Sequence, residues 1–188
     1  MNEYLPKINS FIDRLDKDTL SALKDISKIK IYRKGDFLLR QDEVCRHSFT
    51  IEEGVLRKFY LYDGKEITTE FFFKDDLAIS FDSYSQQKPS KEFIQALTDT
   101  TVSQTEFSRF QNTKINFPKL VELDLLLTEY YTIWLENRLF EFHTLDATQR
   151  YLLLLKEQPH IIQNIPLTYI ASYLCISLET LSRIRAKI

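Results

Sequence analysis

The residues best suited to recognition chemistry lie near the end of the chain, in Ile176-Ser177-Leu178-Glu179-Thr180-Leu181-Ser182-Arg183 and the five residues after it. Ile176, Leu181 and Ile184 fall on one side of a helical projection. The other side carries Leu178, Glu179, Ser182 and Arg183, with Arg185 and Lys187 beyond. A glutamate can accept a hydrogen bond from cytosine N4, and an arginine can donate two to guanine, so such a face suits the major groove of DNA. Ser177 stands where a helix N-cap is needed. Residues 144–188 hold five Lys/Arg against three Asp/Glu, a net of +2, and three of the five cations fall in the last six residues. A phosphate backbone needs a local patch of that kind. The plainer alternative is a small helical subdomain with a solvated charged end.

These residues need elements to hold them. Upstream, Ile170, Leu174 and small Ala171 supply an apolar face that a second helix could cross closely, as in a helix–turn–helix. Short helices are expected over 167–174 and 178–188, with Pro159 and Pro166 marking breaks before them. Asp146 is a candidate N-cap for a helix running through Arg150 to Lys156. Between Lys119 and Thr144 there is neither Gly nor Pro, and Pro118 can serve as the first helical residue. A helix of about 26 residues would span roughly 39 Å. Leu120, Leu123, Leu127, Tyr130 and Trp134 form one stripe along it; Val121, Leu125, Ile133, Leu135, Leu139 and Phe142 form a second. Two apolar faces point to a dimerisation helix, the first stripe being the expected contact. The alternative is one broad face on the chain's own core.

The first half reads differently. Residues 4–27 carry two short helical patterns, the second with Asp16 or Asp18 as cap. From Ile29 and Ile31 through Phe37 and Leu39 to Phe49 and Ile51, apolar residues alternate with polar ones. Asp63-Gly64 separates two β-rich runs, a hairpin signal. Further strands are expected at 93–97 and 101–107, which together suggest a closed or sandwiched antiparallel domain. All three glycines, Gly35, Gly54 and Gly64, lie at its turns.

Composition excludes several classes. With 188 residues, 44% of them hydrophobic, the chain can bury a core. Its net charge of −2 argues against nonspecific polyanion binding by the whole chain. Three scattered glycines build neither a P-loop nor a dinucleotide-binding turn. Cys45 and Cys175 alone hold no four-thiolate zinc or iron–sulfur site, and they suggest a reducing cytoplasm. His47, His143 and His160 are haem ligands by type only, and a metal-binding cupin enzyme would need more than one histidine in the β region. No cofactor, metal or catalytic residue is expected. Neither a secretory leader nor a membrane span is legible.

With these pieces in order, the chain resembles the CRP/FNR family of bacterial transcription regulators over nearly its whole length. Leu145-Asp146-Ala147-Thr148-Gln149-Arg150 looks like the family's hinge and first DNA-domain helix, residues 176–183 look like its recognition helix, and Asp63-Gly64-Lys65-Glu66 fits its β-roll. The resemblance implies an α+β architecture. Residues 1–117 would form a double-stranded β-helix, jelly-roll-like and cyclic-nucleotide-binding-like. Residues 118–143 would be the dimerisation helix, and residues 144–188 a helix–turn–helix domain lacking an extended C-terminal wing. It implies a homodimer bound to double-stranded DNA at a pseudo-palindrome; RNA polymerase and an unidentified small-molecule effector are further partners it suggests. Thr168, Ser177, Leu178, Glu179, Thr180, Ser182, Arg183, Arg185 and Lys187 would face DNA. Leu178 stands where cyclic-AMP-responsive members have a second arginine, and Cys175 replaces the turn glycine, where it is expected as a small buried filler. The effector pocket would draw on Phe73, Asp75, Asp76, Leu77, Ser90, Lys91, Leu135 and Glu136. The family's phosphate-gripping Arg-Ser pair falls on Ser90-Lys91, and Asp75 and Asp76 would repel an anion. Cyclic AMP is therefore not expected as the effector. A ligand-binding or protein-interaction module without DNA binding is the alternative.

Overall fold

A computed structural model describes residues 4–188, with side chains from Lys7 onward. Two helices come first, α1 (Tyr4–Ile12) and α2 (Lys17–Ile26). Asp16 caps α2 by accepting from the Thr19 amide at 2.9 Å, as its position predicts. Eight strands follow: β1 (Ser27–Tyr32), β2 (Phe37–Leu39), β3 (His47–Glu53), β4 (Leu56–Tyr62), β5 (Lys65–Phe72), β6 (Leu77–Ala78), β7 (Glu92–Ala96) and β8 (Thr100–Glu106). They form two antiparallel sheets, ordered β1-β8-β3-β6 and β2-β7-β4-β5. Both sheets send apolar residues inward. Phe49, Ile51, Ala78 and Val102 of one meet Leu39, Leu56, Phe72, Ile94 and Ala96 of the other. The β4–β5 hairpin turns on Asp63 (φ 49°) and Gly64 (φ 71°), the two left-handed residues that a type I′ turn requires.

Helices the sequence pattern did not mark also appear. A short α3 (Phe81–Gln86) bridges β6 and β7, and α4 (Phe107–Asn116) leaves β8 directly. The long helix α5 spans Lys119–Thr144, the range its Gly- and Pro-free run predicts. Four helices end the chain: α6 (Ala147–Glu157), α7 (Pro159–Asn164), α8 (Leu167–Tyr173) and α9 (Leu178–Arg185). The first proline break thus turns out to open a helix, with Pro159 in its first turn.

The alternation in β1 has an outcome that periodicity cannot give. Ile29 and Ile31 are 64% and 76% exposed, because β1 is the edge of its sheet and its outer face is uncovered. Period two tells which side chains share a face and not whether anything covers it.

Gly54 closes the β3–β4 turn at φ +99°, and a Cβ there would stand 2.6 Å from the Asp99 carbonyl oxygen and 2.7 Å from Thr100 Cα. Both neighbours are backbone and cannot swing away. Gly54→Ala should therefore destabilise the protein by ~2 kcal/mol or more, a strained left-handed alanine alone costing about 1–3 kcal/mol. Urea unfolding measures this; an unchanged midpoint would remove the turn constraint.

Candidate functional site

The C-terminal helices build an exposed polar face from a small apolar joint. Tyr151, Leu154, Ile161, Ile165, Ile170, Ala171, Tyr173, Leu174, Leu181 and Ile184 bury one another. The capping box expected of Asp146 forms: its carboxylate accepts from the Gln149 amide, and the Gln149 side chain accepts from the Asp146 amide, both at 2.9 Å. Between α8 and α9 the chain turns at Cys175 (φ 54°), closed by the Ile176 amide donating to the Ala171 carbonyl at 3.0 Å. Cys175 is exposed, which corrects the expectation of a buried filler. Leu174 and Ile176 fill the joint, and the left-handed residue between them points out.

Ser177 caps α9, accepting from the Thr180 amide at 3.1 Å. With Leu181 and Ile184 turned inward, Leu178, Glu179, Ser182, Arg183, Arg185 and Lys187 are exposed together, and so is Thr168 at the start of α8. Thr180 is half-buried, and its hydroxyl accepts from Arg183 Nη2 at 3.1 Å, which steadies the guanidinium one turn away. The Glu179 carboxyl is held below the usual carboxylate range, first by its own backbone N–H, then by the Ser177 hydroxyl and Arg183. It is an ionised acceptor at neutral pH.

This helical unit is docked on the roll. Ser172 of α8 donates to the Glu66 carbonyl at 2.7 Å and accepts from the Thr68 amide at 2.9 Å. Phe71 lies 5.2 Å from the Tyr173 ring, and Phe73 meets His160 edge-on at 4.4 Å. From the long helix, Arg138 lies over the Tyr173 ring at 3.8 Å and donates to the Tyr173 carbonyl. Arg150 ties the α5–α6 junction by donating to the Leu145 and Leu174 carbonyls at 2.7 and 3.3 Å.

The expected effector residues do not converge. Phe73 faces the helical unit, while Asp75 and Lys91 are exposed. Asp76 accepts from the Phe73 amide at 2.7 Å, closing its own turn, and Leu77 is half-buried in β6. Leu135 and Glu136 are exposed on the outer side of α5; the α5 side chain that reaches the roll interior is Tyr131. Only Ser90 lies in a buried polar cluster, donating to Ser80 Oγ at 3.0 Å, and Ser80 in turn donates to the Glu92 carboxylate at 2.6 Å. Beside it Lys58, 2% exposed, pairs with Glu70, donates to the Ile79 carbonyl at 3.3 Å and meets the Tyr131 hydroxyl at 3.4 Å. Burial opposes the Lys58 charge, but Glu70 and Glu92 outweigh it and hold the ammonium on. Burial raises the Glu70 pKa against the pull of Lys58. One lysine between two carboxylates has no charge left for a phosphate. These residues do not fit a cyclic nucleotide, the ligand the fold would suggest. Among the described residues no group of three or more His, Cys, Asp or Glu is placed to hold a metal.

The sequence did carry a signal for Lys58. Neighbouring residues in a strand point to opposite faces. A strand covered on both sides that reads Leu56-Arg57-Lys58-Phe59 must therefore send one of its two cations inside.

The long helix also reverses an expectation. Leu120 and Leu123 are buried against Ile8 of α1, with Leu127 and Tyr130 packed on the same cluster, and Trp134 stacks on Tyr131 at 5.7 Å. Leu120, Leu123, Leu127 and Tyr130 thus cover the chain's own core. The exposed apolar residues of α5 are Val121, Leu125, Leu135, Leu139 and Phe140.

Comparison with known proteins agrees with this architecture. Residues 29–113 match the cyclic nucleotide-binding domain family. A CooA mutant from Carboxydothermus hydrogenoformans superposes with a TM-score of 0.70 at 19% identity, over 88% of this chain and 77% of that one. The c-di-GMP responsive global regulator CLP of Xanthomonas campestris gives 0.73 at 14% identity, over 92% and 91%. FixK2 from Bradyrhizobium japonicum gives 0.71 at 21%, over 86% and 84%. No curated protein matches the sequence significantly. The class defined is an α+β protein whose residues 29–113 are similar to a cyclic nucleotide-binding domain, and another structural neighbour, a putative transcriptional regulator of the crp/fnr family from Eubacterium rectale, superposes with a TM-score of 0.72 at 16% identity, over 93% of this chain and 83% of that one. Among the described residues no helix is long and apolar enough to cross a membrane.

Burial raises the Tyr173 and Tyr84 phenols to about 12. The folded pKa lies above the unfolded value of 10, so folding favours the neutral phenol. Stability should hold below pH 10 and fall as pH rises from 10 to 12. Urea midpoints across that range test this, and Tyr173→Phe should make the fall shallower; an equal slope would place the titrating group elsewhere.

Proposed function

We propose that this chain is a DNA-binding transcription regulator of the CRP/FNR type, acting as a homodimer. The observation that carries the reading is the exposed face of α9. Glu179, Ser182 and Arg183 stand clear of the protein, backed by buried Leu181 and Ile184. Residues 1–117 serve as the sensor, 118–143 as the dimerisation helix and 144–188 as the DNA-reading unit. Glu179 and Arg183 address base edges, with Thr168, Ser177, Leu178, Thr180, Ser182, Arg185 and Lys187 beside them for backbone and further base contacts. The dimer face is the exposed side of α5, built on Leu125, Leu135, Leu139 and Phe140. Paired this way, two α9 helices would read half-sites about 34 Å apart. The Lys58–Glu70–Glu92 cluster favours a regulator that does not answer to cyclic AMP.

Fluorescence anisotropy against a duplex covering the chain's own upstream region, beside a scrambled duplex over a salt series, tests this. Selective binding with a steep salt slope, unmoved by cyclic AMP, is expected; weak and equal binding to both would count against it. Arg183→Ala should cost roughly 1–3 kcal/mol and relax preference at one base pair. An unchanged preference across a randomised site would refute that role. Phe140→Glu together with Leu139→Glu should give a folded monomer by light scattering; a persisting dimer would move the interface off α5.

A further inference from the structure

Arg57 is fully buried on the face of the roll that receives the helical unit. Its guanidinium lies between two rings, 4.0 Å from Phe59 of its own strand and 3.8 Å from Tyr169 of α8. Nη2 donates to the half-exposed Glu66 carboxylate at 2.5 Å. Nε and Nη1 are buried and find no acceptor on the protein, and Thr68 Oγ1, buried on neighbouring β5, also lacks a partner. Ring faces favour the cation, but they do not satisfy two N–H groups, and a buried donor left unmade carries its full desolvation cost. Undocking α8 would uncover the guanidinium and return those donors to water. Docking thereby carries a desolvation cost that offsets part of what the apolar contacts and the Ser172 bonds contribute. The surrounding bonds, Ser172 to Glu66 and Thr68, form only in the docked state.

We propose that Arg57 and Tyr169 form a latch under tension, which positions α8–α9 on the roll and is poised to release it. The consequence for DNA reading rests on the function proposed above; the latch itself does not. A latch of this kind lets a small change in the roll shift the population of docked recognition helices, because only a difference between states moves an equilibrium.

The test is hydrogen–deuterium exchange on the full chain, following segments 66–72 and 167–173, with β8 (100–106) as the internal reference. The Thr68 amide is the direct reporter, since its acceptor is Ser172 Oγ. Tyr169→Ala should speed exchange in both segments by threefold or more and leave β8 unchanged, whereas Tyr169→Phe should keep the wild-type rates. Arg57→Met keeps an apolar stem under Tyr169 and removes the orphan donors, and it leaves Glu66 able to be hydrated. It should slow exchange in both segments, because the desolvation cost of the two donors without acceptors is removed with them. The affinity for a selectively bound duplex should then shift threefold or more in opposite directions for Tyr169→Ala and Arg57→Met. If Arg57→Met speeds exchange as Tyr169→Ala does, the contact is an ordinary structural one and the latch is overturned. If neither variant changes exchange, it is overturned as well. If the wild type binds no duplex selectively, the DNA-reading function falls, and the exchange rates alone decide the latch.

Discussion

Two adjacent residues in a strand cannot hide on the same side. β4 carries Arg57 and Lys58 side by side, both stripped of water, one facing the helical unit and the other the roll interior. Each charge had to find its compensation in a different part of the fold. Lys58 finds it in Glu70, with Tyr131 of the long helix beside it. Arg57 finds it in Glu66 and in the rings of Phe59 and Tyr169. One peptide unit therefore joins the interior, the long helix and the C-terminal helices. A buried ion pair contributes little net stability, but removing one partner strands the other, which applies to Lys58–Glu70, both buried, and not to Arg57, whose partner Glu66 is half-exposed.

The long helix answers a problem of coverage. Its N-terminal turns bury Leu120 and Leu123 against α1, and Lys114 of α4 pairs with Asp124 at 2.5 Å. Farther along, Tyr131 and Arg138 reach the roll and the α8 end. A helix of 26 residues outruns what one small roll can cover, and apolar side chains remain in solvent on its far side.

Much of this was legible in the sequence because the signals were local. The Asp63-Gly64 hairpin, the Asp146 and Ser177 caps and the uninterrupted 119–144 run each depend on neighbours in the chain, and each formed as read. The exposed set on α9 was legible for the same reason, since Leu181 and Ile184 fix which side turns in. What failed depended on distant packing. Which stripe of α5 faces the chain's own core is decided by α1, more than a hundred residues earlier. Whether Ile29 and Ile31 are covered is decided by what lies over the sheet edge. Position along α5 does not fix which side chain enters the roll, and its register there places Tyr131 beside Lys58 and leaves Leu135 and Glu136 exposed.

The sheet order bears on how the chain reaches this state. Among the described residues β1 pairs only with β8, Ser27 opposite Thr105, and β8 also carries β3 on its other edge. During synthesis the first strand has no partner until the eighth has left the ribosome. Long-range antiparallel closure of this type is slow, and its unpaired edges are open to association meanwhile. The C-terminal helices, whose caps and turns are short-range, can order as soon as they emerge. Docking of the helical unit can then come late, onto a roll whose final strand has closed, so a newly made chain would form α9 before it acquires a fixed place to hold it.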